Sequence, residues 1–502
     1  MVLDSILSEQ NCPKILVVGS GVSGRACAKW LSTFDCDIDL VDSRKIELKK
    51  NLPTNVTFIP NCIFSKINLK KYQGVVVSPG LSPHEKSENN FFIINKLASA
   101  HGIPIWTEVD LFFSALEISA SKTTVKSKII AVTGTNGKTT VVSMIKDLLK
   151  NLGYDVELAG NVGTSLLEAF MERKQYGKLP AFWVLELSSF QLLLSSDFKS
   201  DVSVILNFSS DHLDWHSSEE EYLNSKLKIF GFPHLSGRPI INADDTDLSM
   251  QVEQHISSLN SEKKMLKPIY FGLTKNKKEL DVLIAEHNNE EWFCAYGENS
   301  KILPIIKVSD TTCLGKQNQI NLLACFSICS IIIDNILEMK GISNFFKIPG
   351  HRIEEVFFKN KLRFLNDSKA TNIAATIFAL QNLSDPLFLI LGGDLKNQRL
   401  APLINVLKNR NIVAYIYGKD KNLFKKCFEE YDITHFTIEN VREAVILIKK
   451  HLSMKNKLAH EEINVLLSPA CSSKDLYKDY AERGNEYYKA VLSCFAECGH
   501  VR

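Results

Sequence analysis

Short runs of aliphatic residues, each followed by a longer stretch with apolar positions three and four apart, set the rhythm of this chain. Residues 15–18 (Ile-Leu-Val-Val), 38–41 (Ile-Asp-Leu-Val) and 74–77 (Gly-Val-Val-Val) predict strands, with a helix from Arg25 between the first two. Strand and helix periods alternating in this way mean βαβ units and a parallel sheet. The rhythm breaks at a polar segment, 117–128, which predicts a domain boundary. It resumes with a strand at 129–132 (Ile-Ile-Ala-Val) and a helix carrying Val141, Met144, Ile145, Leu148, Leu149 and Leu152 on one stripe, stopped by Gly153. Strands at 181–185 and 202–206 follow. From about 245 to 310 the chain is polar and lysine-rich, and no element is assigned there. After Pro349-Gly350 the alternation returns, with strands predicted at 362–365, 387–391, 413–417 and 463–467. The pattern reads as three α/β domains, 1–117, 118–347 and 348–502.

Two glycine loops interrupt this rhythm, each between a strand and a helix. Gly134-Thr-Asn-Gly-Lys-Thr-Thr140 joins the strand at 129–132 to the amphipathic helix. Such a junction holds phosphate: glycines let successive N–H groups and the positive end of the helix converge on an anion, and a lysine adds a point charge. Lys138 and Thr139 take the lysine and Mg²⁺-ligating hydroxyl positions of a P-loop. A strict P-loop has glycine where this chain has Val132, so an ordinary P-loop kinase or GTPase fits poorly. The other loop, Gly19-Ser-Gly-Val-Ser-Gly24, follows the first strand, and Asp42 ends the second. Alone it reads as a dinucleotide fingerprint, so an NAD-binding oxidoreductase is a candidate. Two separate phosphate cradles point instead to two phosphorylated ligands, one of them ATP.

Bulk properties narrow the classes. The chain has 502 residues, enough for about three domains, and 45% hydrophobic residues support several cores. A formal net charge of +2 gives no electrostatic footprint for nucleic acid or an anionic membrane, so small-molecule partners are expected. The twelve cysteines are scattered without C-x-x-C or zinc spacing and read as free thiols of a reducing cytosol. Residues 1–12 lack the regions of a signal peptide, and 322–333 is too short to span a bilayer, so neither export nor membrane insertion is expected.

Metal-capable side chains gather between 160 and 230. The strand at 181–185 runs into Glu186-Leu-Ser-Ser-Phe-Gln191, placing a carboxylate at the sheet edge that carries the phosphate loop, where it can ligate Mg²⁺. The next strand ends in Asn207-Phe-Ser-Ser-Asp-His-Leu-Asp-Trp-His216. His212 and His216 are four apart, as zinc ligands on a helix can be, but no H-E-x-x-H pattern accompanies them, and hard oxygen ligands beside phosphate favour Mg²⁺. On pattern alone, Lys226 is a solvated helix lysine.

The phosphate loop, Gly160-Asn-Val-Gly163, Glu186 to Gln191, Asp211-His-Leu-Asp214 and Lys226 occur in the order and spacing of the Mur ligases of peptidoglycan synthesis, which the chain resembles from about residue 14 to 490. Asn366-Asp-Ser-Lys-Ala-Thr-Asn372, Ser468-Pro-Ala-Cys-Ser-Ser473, the Gly19 loop and Ser78-Pro-Gly80 resemble the branch that adds D-glutamate. The resemblance implies an N-terminal Rossmann-like domain, a central P-loop ATPase-like parallel sheet and a C-terminal Rossmann-like α/β domain. It implies a cytoplasmic bacterial enzyme, a monomer, that joins D-glutamate to UDP-N-acetylmuramoyl-L-alanine through an acyl phosphate, using ATP and two Mg²⁺. The third domain would bring the amino acid and close over ATP.

By the same resemblance Gly21, Val22 and Ser23 approach the diphosphate of the UDP substrate, Asp42 and Ser43 face uracil, and Ser78 shares that pocket. Asn161, Ser188, Gln191 and His212 contact the muramoyl end. Gly134, Thr135, Asn136, Gly137, Lys138, Thr139 and Thr140 hold ATP phosphates, with Asn318, Asn321, Arg352 and Asp367 toward the rest of the nucleotide. Thr139 and Glu186 hold one Mg²⁺, and His212 and Lys226 the other, with Lys226 carrying a CO₂-derived carbamate. Lys138, Glu186, His212 and Lys226 form the catalytic set. Thr371, Lys396, Ser473 and Tyr480 cradle D-glutamate, and His351 and Arg352 lie near its carboxylate or at a hinge. Lys369 is a further marked cation. One position departs from the family: Gly315-Lys-Gln-Asn318 has Gln317 where histidine is usual. Other amino-acid ligases of the folylpolyglutamate or diaminopimelate-adding type share the ATP loop and remain rivals, as does the NAD-binding reading.

Overall fold

Aliphatic runs become central strands in the computed structural model, because a strand covered on both faces excludes polar side chains. The structure describes residues 12–47, 52–84, 91–120, 126–259, 267–273, 279–297, 301–311, 315–333, 335–339, 350–381, 383–396, 398–454 and 462–495. The leaderless reading of the first residues and the turn at Pro349 fall outside these, apart from Cys12 and Gly350. Among the described residues three sheets are formed, and the chain divides into two compact units. One comprises Met1–Phe208, Asp214–Leu314 and Asn318–Lys347, and the other Ser209–Leu213, Gly315–Gln317 and Ile348–Arg502.

The first unit holds two sheets. β1 (Lys14–Val18), β2 (Asp37–Val41), β3 (Val56–Ile59), β4 (Gly74–Val77) and β5 (Ile105–Thr107) make a parallel sheet in the order β3-β2-β1-β4-β5. Helix α1 spans Val22–Leu31, three residues earlier than the sequence pattern places it. Gly21 is its N-cap, so Ser23 and Gly24 belong to the helix and not to the loop. Helices α2 (Phe91–His101) and α3 (Glu108–Ala120) follow. Residue 117, the expected end of the first domain, therefore lies inside α3.

The second sheet has nine strands in the order β14-β13-β12-β11-β10-β9-β6-β8-β7. They are β6 (Lys128–Thr133), β7 (Val156–Gly160), β8 (Phe182–Glu186), β9 (Val202–Ile205), β10 (Arg238–Asn242), β11 (Ile269–Gly272), β12 (Val282–His287), β13 (Glu290–Tyr296) and β14 (Ile302–Lys307). Helices α4 (Lys138–Asn151), α5 (Leu166–Gln175), α6 (Ser189–Leu193), α7 (Glu219–Leu227), α8 (Thr246–Leu259) and α9 (Gly315–Ile332) connect and cover them. The stretch from 245 to 310, left unassigned from sequence, thus supplies α8 and four strands, the last two antiparallel. One apolar cluster runs from Ile15 and Trp30 through Phe112 to Trp183 and Ile205, joining both sheets. Phe112 meets Trp183 edge-on at 5.2 Å, and Phe113 meets Phe198 at 5.2 Å. Helix α3 is therefore core to both.

The second unit holds a six-stranded sheet, β15-β16-β20-β17-β18-β19, parallel except for β15. Its strands are β15 (Glu354–Lys359), β16 (Leu362–Asn366), β17 (Leu387–Gly392), β18 (Ile412–Tyr417), β19 (His435–Thr437) and β20 (Ile463–Leu467). Helices α10 (Ile373–Gln381), α11 (Ala401–Leu407), α12 (Lys421–Glu430), α13 (Val441–Met454) and α14 (Tyr480–Phe495) cover its two faces. Among the described residues no helix is long and apolar enough to cross a membrane.

Candidate active site

Strand β6 lies between β8 and β9, so the chain leaves its carboxyl end where the sheet order reverses, the place where ligands bind in open α/β sheets. The phosphate loop fills this point. Gly137 caps α4 with φ +84°, and a Cβ there would sit 2.6 Å from Asn321 Oδ1. The loop is clamped from β9: Asn136 N donates to Asn207 Oδ1 at 2.9 Å, and Asn207 Nδ2 donates back to Asn136 O at 3.1 Å. Thr135 N donates to Asn207 O at 3.1 Å. These bonds leave the first N–H groups of α4 and the helix dipole to face an anion. Lys138 Nζ donates to Gly134 O and Thr135 O at 2.7 and 2.9 Å, keeping its charge on the loop. Thr139 is half-buried and Thr140 buried. Asn318 and Asn321, both buried on α9, belong to this unit.

Glu186 closes β8 directly beside Val132 of β6. It is 1% exposed, Oε1 accepts from Asn161 Nδ2 at 2.8 Å, and Oε2 is buried with no hydrogen-bond partner among the described residues. Ser188 and Gln191 are spent on a capping box for α6, Ser188 accepting from Gln191 N and Gln191 Oε1 accepting from Ser188 N. Lys226 is 1% exposed, which overturns the solvated reading of its pattern. Its Nζ donates to Gly134 O at 3.0 Å and lies 4.5 Å from the Tyr222 ring centre. The Tyr222 hydroxyl is in turn 3.2 Å from Thr135 Oγ1. Lysine and loop are thus one packed group. His216 is buried against Ser189 Oγ at 2.9 Å rather than paired with His212. His212 falls in the second unit, held at φ +57° with its N–H donating to Asp211 Oδ1 at 2.8 Å.

The residues assigned to the UDP end in the first sheet come together. Gly21, Val22, Ser23, Asp42, Ser43 and Ser78 line one cavity of about 570 Å³ at the carboxyl edge of β1, β2 and β4. Arg44 and Phe64 line it too, which sequence reasoning missed. The signal for Arg44 was its place two residues after Asp42. Asp42 Oδ2 accepts from Ser20 N at 2.9 Å and Ser20 Oγ at 2.8 Å, and Oδ1 accepts from Arg44 Nε at 2.9 Å. Burial pushes this carboxyl up, but the bonds from Arg44 and Ser20 outweigh it and hold it well below the usual carboxylate range. Asp42 is therefore an anion that shapes the loop and orients Arg44.

In the second unit β16, β20 and β17 are parallel neighbours, so the loops after them share an edge. Asp367 and Thr371 follow β16, Lys396 follows β17, and Ser473 follows β20. Asp367 is buried and accepts from Ser468 Oγ at 2.9 Å. Burial pushes its carboxyl up to about 7, against the Ser468 bond and the nearby Arg352 charge. Lys396 takes a left-handed φ of +49°, its N–H bound to Asp394 Oδ1 at 2.9 Å. Lys369 Nζ stands 4.0 Å over the Tyr480 ring, and the His351 ring meets that tyrosine edge-on at 6.3 Å. Sequence reasoning missed Arg483. Fully buried, it donates to Ser368 O at 2.8 Å, Ser368 Oγ at 3.0 Å and Cys471 O at 3.1 Å, binding the two motif loops together. No local pattern marks it, because α14 merely carries it there.

Comparison with known proteins gives the same picture of relatedness. The model for the Mur ligase middle domain matches residues 132–329, and that for the Mur ligase MurD-like, N-terminal domain matches 13–92. The chain is 32% identical to UDP-N-acetylmuramoylalanine--D-glutamate ligase of Nitrosomonas europaea, over 95% of this chain and 96% of that protein. It is 31% identical to the ligase of the same name from Paraburkholderia xenovorans, over 98% of both. Among solved structures it is similar to the MurF ligase of Thermotoga maritima in complex with ADP, with TM-score 0.54 and 15% identity over 92% of this chain and 96% of that one. UDP-N-acetylmuramate-alanine ligase of Thermotoga maritima gives TM-score 0.50 and 16% identity over 96% and 99%. At such identities the solved structures speak for the fold alone.

Proposed function

This chain belongs to the Mur ligase family, and from that premise we propose that it joins D-glutamate to UDP-N-acetylmuramoyl-L-alanine with consumption of ATP, in cytoplasmic peptidoglycan precursor synthesis. The observation that carries the reading is one compact unit with two phosphate cradles at sheet carboxyl edges, the 570 Å³ cavity at Gly21–Ser23 and the clamped loop at 134–140. Its division into three domains is kept, near 118–347 and 348–502 for the second and third, with the first ending after α3 at Ala120 and not at 117, and a monomer as the working form.

A carboxylate cannot lose oxide to an amine, so the L-alanyl carboxylate first takes the γ-phosphoryl group of ATP. The amine of D-glutamate then attacks the acyl carbon, the C–O bond to phosphate breaks, and phosphate carries that oxygen away. Within this scheme the loop N–H groups position the ATP phosphates, and Lys138 swings from Gly134 O and Thr135 O to the β/γ oxygens. The cavity holds the UDP end through Ser23 and Ser78, with Asp42 and Ser43 toward uracil, while Asn161 and Gln191, in the same unit, guide the muramoyl end. Thr371, Lys396, Ser473 and Tyr480 take D-glutamate, a dicarboxylate matched by cations and hydroxyls. Asp367 and Arg352 face the nucleotide.

The residues fit one Mg²⁺ at Glu186 and Thr139, because a buried carboxylate oxygen without a donor is costly unless a cation meets it. Bound there, Mg²⁺ would neutralise charge on the transferring phosphoryl group. A second ion at Lys226 needs more, since an ammonium repels cations. We assign Lys226 a carbamate, which turns the buried amine into an oxygen ligand.

The reading is tested by phosphate release from ATP with UDP-N-acetylmuramoyl-L-alanine and a panel of amino acids. D-glutamate alone is expected to support turnover. Equal turnover with diaminopimelate or glutamyl folate would move the chain to another ligase subtype. Nicotinamide binding without ATP turnover would return the Gly19 loop to a redox protein.

A further inference from the structure

Glu221 stands where a capping-box glutamate is expected, yet its carboxylate is turned elsewhere. Ser218 is the N-cap of α7 and its Oγ accepts from Glu221 N at 3.1 Å. In the usual box the side chain three residues on returns to the N–H of the cap. Here Glu221 Oε2 accepts from Ser217 N at 3.0 Å, one residue before the cap, and lies 2.8 Å from His84 Nε2 and 3.4 Å from His216 Nδ1. A carboxylate only accepts, so His84 presents an Nε2 proton to it.

This bond joins segments that serve the two cradles of the first unit. His84 lies on the loop after β4, whose Ser78, Pro79, Gly80 and Leu81 line the UDP cavity. That loop is tied at successive steps. Ser78 Oγ donates to Gly19 O at 2.9 Å, and Leu81 N donates to Ser78 O at 3.1 Å. Ser82, fully buried, donates its hydroxyl to Trp215 O at 2.8 Å and accepts from His84 N at 3.3 Å. At the other side of the bond, Glu221 sits in the first turn of the helix that reaches the phosphate loop. The hydroxyl of Tyr222, the next residue, is 3.2 Å from Thr135 Oγ1, and Lys226, a turn further, donates to Gly134 O at 3.0 Å. His216 extends the contact to α6, with Nε2 2.9 Å from the hydroxyl of Ser189, the first residue of that helix. Helix α7 is therefore fastened both to the loop that lines the UDP cavity and to the loop at 134–140.

We infer that His84 is a positioning residue: bonded to Glu221, it ties the loop lining the UDP cavity to α7 and so sets where Lys226 and Tyr222 stand relative to a substrate held in that cavity. This rests on the ligase reading above. Each substrate keeps its own cradle without His84, the UDP end in the cavity and ATP on the loop clamped by Asn207. What His84 controls is their mutual alignment, and a misplacement of reacting groups lowers turnover rather than ground-state binding. A residue that only stabilises the fold lowers the melting temperature and leaves kcat per folded molecule unchanged.

The test is steady-state kinetics of His84→Ala and His84→Gln with ATP and the UDP substrate varied separately. His84→Ala is expected to lower kcat about tenfold, the size of one hydrogen bond to a charged group, with both KM values within about twofold. His84→Gln keeps a donor for Glu221 Oε2 and is expected to return kcat to within about threefold of wild type. The double variant His84→Ala/Glu221→Ala is expected to fall no more than about twofold below Glu221→Ala, because both changes remove one bond. A raised KM with kcat unchanged, a glutamine variant as impaired as alanine, or additive losses in the double variant would overturn the inference. If His84→Ala does not fold, Glu221→Gln, which keeps an acceptor for the imidazole, against Glu221→Ala decides: recovery of kcat by glutamine is expected, and equal losses overturn the positioning role. A wild type that releases no phosphate removes the ligase reading and this inference with it, whereas an active wild type indistinguishable from His84→Ala removes the inference alone.

Discussion

Replacing Asn207 by alanine probes the phosphate loop without substituting any residue assigned to ATP. The side chain makes two bonds to the Asn136 backbone, at 2.9 and 3.1 Å, while the bond from Thr135 N goes to its main-chain oxygen and survives the substitution. Two net hydrogen bonds of about 1 kcal/mol each make about 2 kcal/mol of loop order, which ATP must then supply on binding. That corresponds to a rise of about 30-fold in KM for ATP. The UDP cavity at Gly21–Ser23 and Ser78 has no contact with Asn207 among those described, so KM for the UDP substrate is expected to stay within about twofold. Initial rates with each substrate varied at saturating levels of the others measure both values. A KM for ATP within about twofold of wild type would show that the loop holds its form without the clamp, and the argument from Asn207 would fail.

Two further outcomes follow from single residues. Lys226→Ala is expected to lose at least about 100-fold in turnover, as removal of a charge-stabilising group does, and to recover part of it with added short-chain carboxylates that replace the carbamate. Unchanged activity of the variant without additive contradicts the assignment. For Asp367 the sign runs with the proton: its carboxyl, raised from 3.8 to about 7 by burial against the Ser468 bond, holds a proton in the folded state that the unfolded state has released. Stability from this group is fully present below about pH 4 and is lost as pH rises to about 7. Between pH 5 and 8 the loss is about 3 kcal/mol as an upper figure, and Asp367→Asn is expected to remove that slope. Denaturant unfolding at the two pH values measures it, and parallel losses in wild type and variant would contradict it.

Strands of the sheet centres were legible almost to the residue, because a strand buried on both faces is a continuous aliphatic run. The run at 74–77 is β4 and that at 463–467 is β20 without adjustment. The segment from 245 to 310 was not legible, since β12 to β14 at the sheet's end are short apolar runs with charged residues at one end, Glu286-His287, Glu290-Glu291 and Lys307, and Pro304 stands within β14. A signal was present in Asn288-Asn289, both at positive φ, the tight-turn pattern of a hairpin. Both glycine loops could be read because their backbone demands glycine at fixed offsets. The residues that hold them could not. Asn207 holds the phosphate loop from 71 positions away, as Arg483 holds the motif loops of the second unit from 115, and sequence spacing carries no record of such contacts. The burial of Lys226 is of the same kind, since Glu219 to Glu221 open α7 and Lys228 follows it, and only tertiary packing sets which charged residue faces the loop.

The central claim is that a carboxylate held from the UDP cavity is phosphorylated at the loop 134–140 before the amine attacks. It is tested most directly by supplying UDP-N-acetylmuramoyl-L-alanine labelled with ¹⁸O in its alanyl carboxylate, together with ATP and D-glutamate, and examining the released phosphate by ³¹P NMR. One ¹⁸O is expected in each phosphate formed, because the acyl C–O bond breaks with that oxygen on phosphorus. Phosphate released without label while the amide forms would contradict an acyl phosphate.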